Sequence, residues 1–320
     1  MINKIFRSAG FIILSAMVLL LFGFTFYHAW SLHSLGKFFL PMAFFGLFYE
    51  IILEGIRCKN ATPKPYIFAT DVKIFIAILL GAIITYTLKV NVGLGAVISA
   101  GLVALIASLI IPKYGVAVYC GSFVGMTSSR LLVDHSELSI AAAIAGIVFL
   151  LADRAFNGFG GKLGTVALTG TLITGLGLKK ELLITLVPGW DFIGMIIIFS
   201  VLATVTTYWL NVRLKHGGVV ASGIVGLTGG LILSAIYPGE TGKTLAVMVM
   251  CASFAGMSSA ERFSNMFQML LIGLLTGMIF IYSMPLAGGA GGKLGTIAFG
   301  SVLVVRGYMD LVRRFYKSGH

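Results

Sequence analysis

Between Ala9 and Trp30 the chain contains no Asp, Glu, Lys or Arg: AGFIILSAMVLLLFGFTFYHAW. A helix of about 20 apolar residues crosses the hydrocarbon core of a bilayer. Runs of this kind recur to the C-terminus, at about 9–28, 37–55, 71–90, 92–111, 114–130, 137–153, 162–178, 190–210, 217–237, 243–259, 265–284 and 293–307. In hydrocarbon every backbone polar group must be satisfied within the chain. Continuous runs therefore predict a helical bundle, whereas a transmembrane β-barrel shows short alternating segments. Composition agrees. Only 11% of residues are charged, against roughly 25% in soluble domains, and mean hydropathy is +1.02. The expected fold is an all-α polytopic membrane protein with about 12 hydrophobic segments.

The formal charge of +12 sits mainly at segment ends, which makes it a topology signal rather than a nucleic-acid surface. Lys4 and Arg7 precede the first segment, and Arg57, Lys59 and Lys64 follow the second. Asp153 and Arg154 follow the sixth, and Arg213 and Lys215 the eighth. Arg306, Arg313, Arg314 and Lys317 lie at the end. If every segment spans, all of these fall on one side, with N- and C-termini cytoplasmic; Lys179 and Lys180 dissent. The expected location is a bacterial inner (plasma) membrane. The first run is long for a signal peptide, and no A-x-A site follows it, so an uncleaved first helix is expected.

One hexamer, GGKLGT, occurs at Gly160–Thr165 and again at Gly291–Thr296, 131 positions later (291 − 160). The same shift aligns CGSFVGMTSS at Cys120–Ser129 with CASFAGMSSA at Cys251–Ala260, and Gly146 with Gly277. Upstream the offset shrinks: Pro112 matches Pro238, and TYTLKV at Thr85–Val90 matches TYWLNV at Thr207–Val212. Four blocks in the same order mark a duplication. The predicted organisation is two N-terminal transmembrane helices with a cytoplasmic loop over 1–70 and a first repeat of five segments over 71–180. A linker at 181–189, a second repeat at 190–307 and a basic cytoplasmic tail at 308–320 complete it. Five spanning segments are an odd number, so the second repeat enters the membrane inverted, a frequent plan of secondary transporters. The two N-terminal helices lie outside it, as an oligomer contact or a scaffold edge.

The matched motifs supply the candidate substrate-binding residues. In GGKLGT a lysine and glycine-loosened backbone N–H groups stand where a new helix begins, which favours anions; this nominates Lys162, Lys293, Gly161, Gly292, Thr165 and Thr296. The competing reading is close helix packing at glycines and a lysine that snorkels to headgroups. The small-residue stripe SFxGM(T/S)S nominates Ser122, Ser253, Ser128 and Ser259 as oxygens for a solute or for Na⁺, with satisfied helix packing as the alternative. Discontinuous or re-entrant helices are expected there. Thr85, Tyr86, Thr207 and Tyr208 sit near segment ends and are expected as interface anchors. Glu50 and Glu54 share a helix face, and Arg57 lies within i,i+3 reach of Glu54, so a local ion pair is expected in place of a proton relay.

Other chemistry finds little footing. PGETGKT at Pro238–Thr244 lacks phosphate-loop spacing, because Tyr237 stands where the first glycine is required; an extramembrane turn is expected. Asp134, His135 and Ser136 are consecutive and cannot converge as a catalytic triad. Cys58, Cys120 and Cys251 form neither a CxxC pair nor an even set, and the last two are expected as packing residues. No enzyme, cofactor or metal is expected beyond Na⁺ as a coupling ion. The favoured function is a secondary transporter of a small solute, tilted toward an anion or carboxylate. A non-transporting membrane subunit or scaffold, and a channel, stay open as alternatives.

Overall fold

The computed structural model describes residues 2–31, 36–60, 68–184 and 190–318. The linker expected at 181–189 is thus described only to residue 184, and Lys64 lies outside the described residues.

Helix follows helix: α1 (Ile2–Ser31), α2 (Gly36–Asn60), α3 (Phe68–Val90), α4 (Ala96–Ile110), α5 (Gly115–Gly125), α6 (His135–Leu151) and α7 (Lys162–Gly177). Then come α8 (Trp190–Tyr208), α9 (Gly218–Ile236), α10 (Glu240–Gly256), α11 (Met266–Ser283) and α12 (Lys293–Ser318). A π-helical turn, Trp209–Arg213, extends α8. Among the described residues there is no strand, only an isolated bridge between Leu183 and Gly288. Among the described residues seven helices are long and apolar enough to cross a membrane: α1, α2, α3, α8 with its π turn, α9, α11 and α12. The chain is an all-α integral membrane protein. The other segments are shorter; α4, α5 and α6 have 15, 11 and 17 residues. Large apolar side chains such as Leu20, Phe24, Phe45, Leu80, Leu109, Ile198 and Ile232 are exposed along the helices. An apolar exterior on this scale suits lipid rather than water.

Packing follows the small residues. Helix α3 lies on α5, α6 and α4, and α8 lies on α10, α11 and α9. Helix α4 packs on α9, and α7 on α12. A Cβ on Gly125 would fall 2.5 Å from the Ala82 carbonyl oxygen, and one on Gly256 2.6 Å from that of Thr204. Neither helix pair could approach so closely with larger residues there.

Two ends of the bundle can be named from their contacts. At the Asp134 end, the Tyr86 hydroxyl donates to the Leu132 carbonyl at 2.7 Å, and Lys180 pairs with Glu137 at 2.8 Å. At the Arg57 end, Arg262 pairs with Glu54 at 2.6 Å, and Gly10 packs on Leu151. Phe75 meets Gly146 in the middle of the antiparallel α3–α6 pair, and Ile197 meets Gly277 in the α8–α11 pair. Helix α3 therefore finishes at the Asp134 end and α8 at the Arg57 end.

Two expectations need correction. Tyr86 and Tyr208 are not interface anchors: both are buried, and their hydroxyls hold the loops after α5 and α10 through the carbonyls of Leu132 and Phe263. Buried phenols need such partners. The turn expected over Pro238–Thr244 is shorter than that: it ends at Gly239, because α10 already begins at Glu240, and Lys243 pairs with Glu240 one turn on at 2.8 Å.

Candidate functional site

The two GGKLGT hexamers meet. A Cβ on Gly164 would fall 2.4 Å from the Gly295 Cα, and one on Gly295 2.6 Å from the Gly164 Cα. Gly161 has φ 82° and Gly292 φ 90°, a left-handed conformation that glycine adopts without steric cost. An added Cβ would strike the Gly295 carbonyl oxygen at 2.4 Å and that of Gly164 at 2.3 Å, respectively. The starts of α7 and α12 thus cross backbone on backbone.

The flanks of the crossing are tied in the same way on both sides. The Gly160 N–H donates to the Ser258 hydroxyl at 3.1 Å, and the Gly291 N–H to the Thr127 hydroxyl at 3.1 Å. The Ser259 N–H donates to the Gly158 carbonyl at 2.9 Å, and the Ser128 N–H to the Gly289 carbonyl at 2.8 Å. The Cys120 and Cys251 thiols donate to the carbonyls of Leu163 and Leu294 at 3.5 and 3.2 Å. The lysines reach backwards. Lys162 Nζ donates to the Ala152 carbonyl at 2.7 Å and Lys293 Nζ to the Met284 carbonyl at 2.9 Å. Ala152 and Met284 are the C-caps of α6 and α11, where a cation satisfies orphan carbonyls and opposes the negative end of the helix dipole.

Lys293 also lines a cavity of about 670 Å³ that opens toward the Asp134 end. Lys89 and Lys243 share its wall with Ser128, Glu240 and the backbone of Gly288–Gly292. Lys89 Nζ donates to the carbonyls of Gly125 and Thr127. Phe123 and Phe254, with ring centroids 4.5 Å apart, contribute apolar surface where α5 meets α10. Three lysines and one glutamate line this wall, and Lys243 is paired with Glu240 at 2.8 Å.

The other nominated residues lie away from it. Ser122 Oγ donates to the Tyr119 carbonyl at 2.8 Å. Ser253 Oγ donates to the Met250 carbonyl at 2.8 Å and shares a 2.7 Å bond with Ser222, whose hydroxyl is 2.8 Å from the Tyr119 hydroxyl. Thr165 and Thr296 are fully buried beside the crossing; Thr296 bonds back to the Gly292 carbonyl at 3.2 Å, while Thr165 Oγ1 has no partner among the described residues. Of the nominated set only Lys293, Gly292 and Ser128 reach the cavity wall. Lys89 and Lys243 were not nominated. Lys89 stands opposite Asn211 in the aligned TYxLxV blocks, and that charge difference is the sequence signal that singles it out.

At the Arg57 end two counterpart positions are in contact. Ala96 and Met126 line the cavity, whereas their aligned partners Gly218 and Met257 touch: a Cβ on Gly218 would fall 3.3 Å from that of Met257. Arg262 lies at the same end, next to Gly158. Its Nε donates to the Asn157 carbonyl at 2.9 Å, its two terminal nitrogens reach the Glu54 carboxylate at 2.6 and 3.2 Å, and its guanidinium lies 4.3 Å over the Phe159 ring. The expected Glu54–Arg57 pair is present but belongs to a larger network. Arg57 also binds Glu50 at 2.7 Å and Asp310 at 2.5 Å, and Asp310 binds Arg306 at 3.0 Å. Glu50 and Glu54 are buried. A buried charge requires such partners.

Compared with protein-family models, curated proteins and solved structures, the chain matches none of them.

Proposed function

We propose that the chain is a secondary transporter of a small solute, built from two inverted five-helix repeats (α3–α7 and α8–α12) with α1 and α2 as a scaffold edge. The observation that carries this reading is the cavity at the junction of the two motif copies, lined by Lys89, Lys243 and Lys293 and open at the Asp134 end. Alternating access needs two such states, related by exchanging the conformations of the repeats. Opposite directions of α3 and α8, and contacts that recur at the sequence offsets, support the inversion. With the Arg57 end cytoplasmic, as the positive charges favour, the cavity faces outward.

The solute in this reading is an anion or carboxylate, attracted by Lys89, Lys243 and Lys293 and seated against Phe123 and Phe254. Na⁺ is the favoured coupling ion, because hydroxyls and carbonyls rather than carboxylates crowd the junction. Lys162 caps α6 and binds no solute in the outward state.

The test is thermal unfolding of the detergent-purified protein against a panel of small carboxylates, inorganic anions and Na⁺. A ligand at 100 times its Kd stabilises the native state by about 2.7 kcal/mol. One carboxylate is expected to raise the midpoint of the wild type, with the shift reduced at least tenfold in apparent affinity in Lys293→Met and Lys89→Met and retained in Lys162→Met. If no solute shifts a well-folded sample, a non-transporting membrane subunit becomes the better reading.

A further inference from the structure

Away from the Lys293 cavity, two recesses meet on the flank formed by α2, α11 and α12. The larger, about 630 Å³, is an apolar slot with walls that include Met42, Leu271, Met278 and Val305. Its α12 wall extends from Val304 to Arg313, about 14 Å at 1.5 Å per residue. The smaller, about 280 Å³, lies between the last turns of α2 and α12 and presents Arg57, Asp310, Arg313 and Arg314. Arg313 lines both.

The charges there are not equally committed. Arg57 is held by Glu50, Glu54 and Asp310, and Asp310 is also bound by Arg306. Arg313 is 57% exposed and stands 3.9 Å from Asp310. The Arg314 guanidinium rests 5.8 Å over the Tyr49 ring. Arg313 therefore sits where the apolar slot meets the smaller recess, and Arg314 stands beside it in that recess. Guanidinium binds phosphate oxygens in a bidentate fork, and basic residues just beyond a transmembrane helix attract anionic headgroups.

We propose that this flank is a binding site for an anionic phospholipid, one acyl chain lying in the slot and the phosphodiester resting on Arg313 and Arg314. Gln268, at the α11 rim of the slot, is placed for the glycerol esters. The lipid bridges α2 to α11 and α12. This inference stands whether or not the chain transports a solute.

Native mass spectrometry of the full chain tests it, with phosphatidylglycerol and phosphatidylcholine of identical acyl chains supplied at equal mole fraction. Phosphatidylglycerol adducts are expected to be retained at least fivefold more than phosphatidylcholine adducts. Arg313→Gln/Arg314→Gln, at exposed positions that folding does not need, is expected to abolish that preference. Leu271→Trp, which narrows the slot, is expected to lower retention of both lipids. Equal retention of the two lipids overturns the proposal, as does a preference indifferent to both variants. Loss of the adduct to millimolar inorganic phosphate marks a free-anion site and also overturns it. A dimer that Leu271→Trp dissociates without changing lipid retention makes a second copy the occupant, with the same consequence.

Discussion

The loops that lead into α7 and α12 are built alike and end in opposite circumstances. Each carries left-handed residues at matched places, Phe156 with Ala287, Gly158 with Gly289 and Gly161 with Gly292. Each is sewn to the end of a neighbouring helix by the same hydrogen bonds. Yet Gly289, beside Leu183 and Ser128, borders a cavity, while Gly158, beside Ser259 and Arg262, stands exposed next to the Glu54–Arg262 pair. The like backbones carry unlike neighbours: Arg262 stands in the position aligned with Leu131, Asn211 in the position aligned with Lys89, and α10 has 17 residues against 11 in α5.

The hardest blow to this comparison falls on what the two loops share. Gly161→Ala and Gly292→Ala each add a Cβ at positive φ, within 2.4 Å of a backbone oxygen across the crossing. Each is expected to cost about 3 kcal/mol or more, read as a large fall in the thermal midpoint in detergent. Nearly equal losses sharpen the likeness of the two loops. If one alanine is harmless, the two loops are not equivalent and the backbone-on-backbone crossing is not needed on both sides.

A smaller, directional effect is expected from the side chains that differ. Glu54→Gln/Arg262→Gln removes both charges of the pair at once, so neither is left buried without its partner. In a chain with its three cysteines replaced by serine, Ser259→Cys is expected to be labelled several-fold faster by a membrane-impermeant maleimide once that pair is gone. Ser128→Cys, already on the cavity wall, is expected to change little or to slow. Should Ser259→Cys stay inert while the protein remains folded, Arg262 is a structural tie and does not close that end.

These residues also mark what could be read in advance. Apolar runs and end charges were enough for a helical membrane bundle, because membrane solvation depends on local composition. The repeated strings were legible in letters, and so was the Glu54–Arg57 pair, because three residues along a helix is a fixed distance. Arg262 and Asp310 were not legible as partners of that pair. They join it across sequence separations of 208 and 253 residues, which no periodicity encodes. Lys162 and Lys293 were correctly placed at helix starts, but their reach back to the C-caps of α6 and α11 depends on how the intervening loops reverse. The tyrosines of TYxLxV were misjudged for a related reason: position near a segment end says nothing about whether a following loop folds over the ring.

The smallest expected effect separates the halves at matched caps. Asp134 caps α6, and Asn265, 131 positions on, caps α11. Asp134 accepts from the N–H groups of Ser136 and Glu137 at 2.9 Å, and Asn265 from that of Phe267 at 3.0 Å. The backbone N–H of Glu137, followed by the Ser136 hydroxyl, holds the Asp134 carboxyl below its ordinary value. A depressed carboxyl contributes its stabilisation above the ordinary range, near pH 3.9, and loses it as pH falls through the folded value. Asn265 has no such proton to take up. Protection factors for the amides of Ser136 and Glu137 are therefore expected to drop modestly between pH 6 and pH 3 while that of Phe267 holds. Asp134→Asn gives α6 the cap that α11 already has and is expected to flatten most of the drop. What remains belongs to Glu137, whose carboxylate accepts from the Val133 N–H and pairs with Lys180, each at 2.8 Å. A fall of equal size at Phe267 would mean that acid loosens the whole end of the bundle, and that the two caps differ in name only.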